Sequence, residues 1–359
     1  MSPRAALLVA FGLGASACAT GSTGYRARLA AGDRAYTAGR FREAAAAYEA
    51  AAGDAASPRD ASDAAYRAGM ACRRAGDLPC ARRLLAAAGA RRDDWGRAAR
   101  ARLELAALGL DSASESARAE ARRALESLVV EAPDTGPARG ALRLRLWALD
   151  ADDPTRAAGA AWLAALATDP QVRRSALLES VLAERAVRVE AAGDLAAAER
   201  AWRTLVEAVP YPDNSHWDDG HLALARVQRA QGRAREAVAT IDRMLAVQET
   251  SWGNGSYAAP RFDDGAYLRA EILRDDLRDP LAAAAAFHRV YVEHPTSLRR
   301  DDALWEEAAL RSGADRAGAC RVWATLVAEF PCRRFAARAR DALAACPGSD
   351  RSVSCPARD

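Results

Sequence analysis

The chain has 359 residues, of which 50% are hydrophobic but only 6% are aromatic. Its 51 basic and 48 acidic residues leave a net charge of +3 and are spread along the whole length. Because nucleic-acid binding needs a concentrated basic face, this balance argues against a nucleic-acid partner. The alanine-rich composition favours closely packed helices over sheet. At this length, a helical repeat array can form one continuous body or two domains.

The first 17 residues have the pattern of a secretory signal peptide. Arg4 precedes an apolar run over residues 5–15, and small residues follow at Ser16 and Ala17. The run is too short to remain as a membrane-spanning helix. The pattern therefore predicts export and removal of residues 1–17.

The end of this segment, Ala15-Ser16-Ala17-Cys18, resembles a bacterial lipobox. The resemblance implies that Cys18 is lipidated and becomes the mature N-terminus. Ala19 is not the aspartate that favours inner-membrane retention, so we expect the outer membrane, on its periplasmic face. Ordinary signal-peptidase cleavage after Ala17, which would leave a soluble periplasmic protein, is the alternative. Residues 18–27 are predicted to be the lipidated cysteine and a short flexible linker.

An internal repeat is the strongest feature of the remaining sequence. A glycine is followed by an apolar residue, an alanine and a bulky residue, as in Gly76-x-Leu78-x-x-Ala81-x-x-x-Leu85. The glycine permits a tight turn between two helices, and the alanine admits a close neighbour. The bulky residue lies four positions later on the same helix face and fills the space between repeats. The alanine recurs eight times, at Ala44, Ala81, Ala121, Ala158, Ala198, Ala237, Ala283 and Ala319.

The residues around these alanines predict helix pairs. Prolines that would end the second helix follow five of the alanines, at Pro133, Pro170, Pro210, Pro295 and Pro331. The bulky residues are Tyr48, Leu85, Leu125, Trp162, Trp202, Ile241, Phe287 and Trp323. The pairs at Ala121 and Ala158 lack the turn glycine, and Pro280 takes its place before Ala283.

This pattern resembles the tetratricopeptide repeat, with spacings longer than its usual 34 residues. The longer connections are most similar to tetratricopeptide-repeat lipoproteins of the bacterial envelope with BamD- and YbgF-like repeats. The resemblance implies an all-α, right-handed superhelical solenoid of about eight antiparallel helix pairs over residues 28–346. A helix over 333–346 is predicted to cap the last pair, and residues 347–359 form a tail.

Two connections between repeats carry aromatic residues and are candidates for partner binding. One contains Tyr211 and Trp217, and the other contains Trp252, Tyr257 and Phe262. Loop aromatics on a rigid scaffold are favoured contact residues. The alternative is that these rings pack into the grooves between repeats.

Six cysteines remain after Cys18, an even number that suits disulfides in an exported chain. Cys72 and Cys80 flank the Gly76 turn at equal distance, so a bridge between them is geometrically reasonable. Near the C-terminus, Cys346 could pair with Cys355 or with Cys332. The alternative is that the cysteines are small buried packing residues.

No sequence pattern predicts catalysis, a metal site or a cofactor. The one local group of metal-type ligands, His216 to His221, matches no known zinc spacing, and a polar helix start explains it better. Acidic pairs such as Asp263-Asp264 and Asp301-Asp302 precede predicted helices, where the helix dipole favours them. Candidate arginines for an inner binding face are Arg67, Arg73, Arg74, Arg226 and Arg229.

The sequence thus predicts a non-catalytic scaffold that binds envelope proteins or peptides and is held to the membrane by its N-terminal lipid. It would serve an envelope assembly or cell-wall coordination complex. The alternatives are a soluble periplasmic module that binds a peptide or glycan, and an accessory domain of a cell-wall enzyme.

Overall fold

A computed structural model describes residues 23–90, 95–211, 213–247 and 261–347. All regular structure in these residues is helical, as predicted. The chain divides into two compact units between Pro154 and Thr155.

Unit 1 contains three antiparallel helix pairs and one further helix. The first two pairs join α1 to α2 and α3 to α4, and the third joins α5 to α6. The helices are α1 (Thr23–Thr37), α2 (Phe41–Asp54), α3 (Pro58–Arg74), α4 (Leu78–Gly89), α5 (Trp95–Leu110), α6 (Glu115–Glu131) and α7 (Gly136–Asp152).

Unit 2 begins with a single helix, continues with four pairs and ends with a short helix. A single 3₁₀ turn, Val172–Arg174, separates its first two helices. The helices are α8 (Ala157–Leu166), α9 (Leu177–Ala191), α10 (Leu195–Ala208), α11 (Trp217–Ala230), α12 (Ala234–Leu245), α13 (Phe262–Asp275), α14 (Pro280–Glu293), α15 (Arg300–Arg311), α16 (Arg316–Glu329) and α17 (Ala336–Leu343).

The turn between α3 and α4 follows from a glycine and the residue after it. Gly76 has a φ of +76°, a left-handed conformation that glycine adopts without strain. The next amide, Asp77 N, donates to Cys72 O at 2.9 Å and so closes the end of α3. The Asp77 side chain then accepts from Cys80 N and caps α4. One dipeptide therefore ends the first helix and starts the second.

The repeat alanines mark the core as predicted, except in the fourth pair. Seven of the eight are buried, whereas Ala158 is exposed. In α8 the buried positions are one residue later, at Gly159 and Leu163, so the predicted frame of Ala158 and Trp162 is wrong by one. The reason is that α8 opens with several small residues in succession, any of which fits the pattern. The same predicted pair spans the unit boundary, since α7 belongs to unit 1 and α8 to unit 2.

The turn before α14 also differs from the prediction. The left-handed residue there is Arg278, with a φ of +55°, and Pro280 is the first residue of α14. Asp279 caps that helix by accepting from Ala282 N at 2.9 Å. Pro280 therefore starts the second helix and does not replace the turn glycine.

The two ends of the described chain have different outcomes. The predicted linker over residues 18–27 extends too far, because α1 begins at Thr23 and buries Tyr25. At the other end, α17 packs on the core of α15 and α16 as a cap. Cys346 bonds to Cys320 of α16. Neither predicted pairing of Cys346, with Cys355 or with Cys332, is therefore correct. Cys332 is also disulfide-bonded.

Candidate interaction surface

Three of the predicted partner-binding aromatics pack together in unit 2. Tyr211 and Trp217 have ring centroids 5.5 Å apart, and both belong with Phe262 to one cluster around the buried Met244. Trp217 is only 6% exposed, while Tyr211 and Phe262 are half-buried. Trp217 is thus a packing residue and presents almost no surface to a partner.

The connection before α11 is fixed by buried polar groups. Asn214 is 2% exposed and donates from Nδ2 to Val209 O at 2.7 Å, which caps the end of α10. Ser215 donates from N and Oγ to the buried carboxylate of Glu179 on α9, at 2.5 and 3.0 Å. This connection is therefore a structural joint between successive repeats.

The remaining predicted site residues have different outcomes. Trp252, Tyr257 and the lipidation candidate Cys18 lie outside the described residues. Cys72 and Cys80 are bonded to each other, with their Cα atoms 5.8 Å apart.

The acidic pairs at helix starts do more than complement the helix dipole. Asp263 accepts from Ser297 Oγ at 2.5 Å, and Asp264 accepts from Arg299 Nε at 2.6 Å. Both donors lie in the connection that leads to α15, which is the first helix of the following pair. The pair therefore fastens one repeat to the following one.

Three of the predicted inner-face arginines are already paired. Arg67 binds Asp33 of α1 and Asp63 of α3, and Arg73 binds Glu104 of α5. In unit 2, Arg229 contacts Asp276 at 2.7 Å. The two others, Arg74 and Arg226, are exposed. Most of these arginines thus form ion pairs that link the first helix of one pair to the first helix of a neighbouring pair.

A half-buried acid lies within the unit 2 network. Glu271 Oε2 is 4.0 Å from Arg229 Nη1. Burial raises the pKa of Glu271, and Arg229 and Arg274 act against that change. The ion pairs of this network join two arginines, Arg229 and Arg274, to four acids, Glu271, Asp275, Asp276 and Glu306. Among the described residues the network therefore presents no excess positive charge to a ligand.

The most exposed large aromatic residue with a described side chain is Trp147 of α7. It is 62% exposed, whereas Trp202, Trp217 and Trp323 are at most 6% exposed. The buried positions of α7 include Ala138, Leu142 and Leu146. Trp147 lies on the other side of the helix, in a row with Arg139 and Arg143 at intervals of four residues. An exposed tryptophan in a folded helix is the type of residue that marks a binding surface.

The neighbouring helix α5 extends this surface. A Cβ atom on Gly140 would lie 2.7 Å from Leu103 Cδ2, so α7 and α5 touch at these residues. Helices α5 and α7 are both the first helix of a predicted pair and are expected to run in the same direction. We therefore expect Leu110 and Trp147, each seven residues further along its helix, to lie near each other. Leu110 and Ala107 are half-buried. We call this surface, made of Ala107, Leu110, Arg143 and Trp147, the α5/α7 face.

Two cations on or beside the α5/α7 face make no ion pair within the part of the chain that the structure describes. Arg143 and Arg100 are both exposed. Neither makes a hydrogen bond or an ion pair with another residue that the structure describes. The surface therefore combines an exposed indole with unpaired positive charge.

Sequence reasoning missed Trp147 although a signal was present. The spacing of Ala138, Leu142 and Leu146 defines the buried side of α7, and Trp147 falls outside it. The loop aromatics are predicted contact residues because loops often bind partners, but an irregular loop has no periodicity to show which way a ring points.

His221, one of the metal-type ligands of the segment His216 to His221, is buried in unit 2. His221 is 7% exposed, and its Nδ1 lies 2.8 Å from Trp217 O. Burial lowers its pKa below 6.5, so its ring is neutral at pH 7. No group of three or more metal-type ligands is placed to hold an ion within the described ranges. Nor does any helix described here have the length and apolarity needed to span a membrane.

Comparison with known proteins finds similarity only among solved structures. No family model matches the sequence. No curated protein matches it either. A tetratricopeptide repeat protein from Parabacteroides merdae is 16% identical with a TM-score of 0.32, covering 80% of this chain and 99% of that one. The C-terminal part of a TPR repeat-containing protein from Cytophaga hutchinsonii is 11% identical with a TM-score of 0.40, covering 88% and 98%. The TPR2AB domain of yeast Sti1, solved in a pHSP90 complex, is 14% identical with a TM-score of 0.27, covering 89% and 97%. At these scores the description of the fold rests on the helix pairs of this chain.

Proposed function

We propose that the protein is a protein-protein interaction scaffold and that unit 1 binds a partner segment on its α5/α7 face. The observation that carries the proposal is the 62% exposure of Trp147. Burying an indole of this size on binding contributes about 2 kcal/mol or more from apolar area alone. Tryptophan and arginine are also the residues most enriched among binding hot spots.

The unpaired charges indicate the chemistry of the partner. Arg100 and Arg143 would attract carboxylates, while Trp147, Leu110 and Ala107 would cover apolar side chains. A partner segment with a bulky apolar residue next to acidic residues fits both features. We propose this chemistry for the segment and assign no catalytic step to the surface.

We further propose that the scaffold is exported and tethered to the outer membrane, facing the periplasm, where it serves an envelope assembly or cell-wall coordination complex. The support is the lipobox-like sequence before Cys18 and the presence of disulfides, among them Cys72–Cys80 and Cys320–Cys346. Disulfides persist in oxidising compartments such as the periplasm. On this proposal the protein acts like the BamD- and YbgF-type lipoproteins that its repeats resemble. The alternative is a soluble periplasmic module, which the ordinary cleavage pattern after Ala17 would produce.

Site-specific crosslinking tests the binding proposal. A photoreactive residue would replace Trp147 in the full chain, expressed in a Gram-negative host, and the control would carry it at Arg123, an exposed position of α6 in the same unit. We expect a discrete crosslinked partner from position 147 and none from 123. The crosslink should disappear when Arg100 and Arg143 are both replaced by glutamate. Identical products from positions 147 and 123, or no product from 147, would contradict the proposal.

Fractionation tests the tether. The wild-type chain is expected in the outer-membrane fraction, and Cys18→Ser is expected to remain in the inner-membrane fraction as an uncleaved precursor or to become soluble. If the wild-type chain is already soluble in the periplasm, the alternative function holds and the lipid tether is wrong.

A further inference from the structure

A cavity of about 340 Å³ lies in unit 2, between the end of α12, the start of α13 and the end of α14. Its apolar lining includes Phe262, Leu245 and Ala266. This volume falls at the lower end of the range for small-molecule sites, which combine apolar walls with a few polar groups.

Four charged residues line the same cavity, and two of them satisfy each other. Arg269 Nε donates to Asp242 Oδ1 at 2.6 Å, so this pair adds no net charge. The other two, Arg289 and Glu293, make no hydrogen bond or ion pair with any residue in the described part of the chain. They are four positions apart on α14 and therefore share one face. An arginine four residues before a glutamate is the less favourable order for pairing along a helix. Both side chains are exposed, so the rim of the cavity presents one cation and one anion that have no ion-pair partner among the described residues.

His294 adds a neutral polar group to the lining. It is half-buried, and burial lowers its pKa below 6.5, against the opposing effects of Asp263 and Glu293. A neutral imidazole offers one donor and one acceptor. His294 can therefore bind a ligand amide or carboxylate without adding charge.

We infer that this cavity binds a small zwitterion with an apolar side chain, which is the chemistry of a free amino acid or of a short peptide. The ligand carboxylate would pair with Arg289, its ammonium group with Glu293, and its side chain would pack on Phe262. A simple anion would be repelled by Glu293, and a simple cation would be repelled by Arg289. The zwitterion is the ligand class that complements both groups.

This site is independent of the proposed partner surface. It lies in unit 2, it uses other residues, and its ligand is a small molecule or a chain end. A variant of the α5/α7 face should therefore leave binding here unchanged, and failure of one proposal does not affect the other.

Calorimetric titration of the purified chain tests the inference. The probes are L-phenylalanine, the dipeptide Phe-Leu, N-acetyl-L-phenylalanine and L-phenylalaninamide. We expect binding of an unmodified probe, and a loss of about tenfold or more when the amine is acetylated or the carboxylate amidated. Tighter binding of the dipeptide would identify a peptide as the ligand, and tighter binding of phenylalanine would identify a free amino acid.

Variants of the charged pair complete the test. Arg289→Gln and Glu293→Gln should each weaken binding of phenylalanine about tenfold, and each should leave the thermal transition in place. Arg235→Gln is the matched control, because Arg235 is an exposed arginine of α12 that does not line the cavity. The inference is overturned if no probe binds at millimolar concentration, if the blocked derivatives bind as well as phenylalanine, or if the control variant weakens binding equally.

Discussion

Arg299 donates from Nε to Asp264 Oδ1 at 2.6 Å, across 35 positions of sequence. The carboxylate stands in the first turn of α13, and the arginine stands directly before α15. The same relationship joins Asp219 to Arg261 at 2.9 Å and Asp302 to Arg334 at 3.0 Å. In each case the second acid of the pair contacts an arginine in the connection that follows. That connection leads into the first helix of the next pair or into the capping helix α17. Three successive connections between repeats in unit 2 are therefore held by the same type of acid–arginine ion pair.

The first acid of each pair should matter more for stability than the second. Asp218 is 3% exposed and accepts from Arg261 N at 3.3 Å and Asp219 N at 2.9 Å. Because Asp218→Ala removes the acceptor of two part-buried amides, we expect the free energy of unfolding to fall by roughly 1–3 kcal/mol. Asp219→Ala removes only a half-exposed ion pair and should cost about 1 kcal/mol or less. Urea denaturation of the two neighbouring variants measures the difference, and equal losses would contradict this division of roles.

The repeat frame was predictable because its residues obey local rules. Gly76 and Asp77 form a turn and a cap whatever the surroundings, and an alanine four positions before a bulky residue selects one helix face. The joints were not predictable in the same way. Asp264 and Arg299 are a common pair of residue types, and nothing local shows that 35 positions bring them together.

The candidate binding residues were also predictable only where local periodicity determines their exposure. Trp217 and Trp147 are both tryptophans of first helices, but one is 6% and the other 62% exposed. The exposure of Trp147 followed from the helical periodicity of α7. The burial of Trp217 depends on Tyr211 and Met244, which come from other elements.

Arg278 is expected to destabilise its turn. Its φ of +55° is left-handed, which costs a residue with a Cβ atom roughly 1–2 kcal/mol. Glycine avoids this strain but loses more backbone entropy on folding, so Arg278→Gly should stabilise the chain by about 0.5–1 kcal/mol. The reverse change, Gly232→Ala, removes glycine from a turn with a φ of +75° and should destabilise by about 1 kcal/mol. Both positions are exposed, so packing does not obscure the comparison of urea midpoints. A destabilised Arg278→Gly would show that the arginine side chain contributes more than its strain costs.

Trp147 should be dispensable for folding. Trp147→Ala is expected to change the free energy of unfolding by about 0.5 kcal/mol or less, because the ring is largely in water. Trp202→Ala is the contrasting variant. Trp202 is 6% exposed and donates from Nε1 to Glu190 Oε2 at 2.6 Å, so its loss should cost roughly 3–5 kcal/mol. Thermal and urea unfolding distinguish the two, and a large loss for Trp147→Ala would mean that the residue is structural and not a contact surface.

Stability should decrease as the pH falls below about 6.5, in part because of His221. Burial lowers the pKa of His221 below the ordinary value of 6.5, while Arg243 lowers it further and Trp217 O acts in the opposite direction. The unfolded chain therefore takes up a proton at higher pH than the folded chain does. The stabilisation is fully present above pH 6.5 and is lost as the pH falls toward the folded pKa.

Two variants isolate this effect. His221→Gln should reduce the difference in unfolding free energy between pH 7.5 and 5.5, and combining it with His294→Gln should reduce it further, since burial also lowers the pKa of His294. Urea titrations at the two pH values provide the measurement. An unchanged difference in the double variant would show that other groups control the pH dependence.

The Cys320–Cys346 disulfide should hold the C-terminal cap in place. The bond closes a segment with a sequence separation of 26 and ties α16 to the residue that follows α17 by three positions. By loop-closure entropy it contributes roughly 3–4 kcal/mol, against about 2.5 kcal/mol for Cys72–Cys80, whose separation is 8. Replacing both Cys320 and Cys346 with serine should therefore lower stability more than replacing Cys72 and Cys80.

The variant that lacks Cys320 and Cys346 should also lose amide exchange protection in α17 and α16 before the other helices of unit 2. The reason is that Leu343 and Ala339 cover the core of α15 and α16. Exchange measured by mass spectrometry checks the order, and uniform loss across unit 2 would show that the cap is not a separate element of stability.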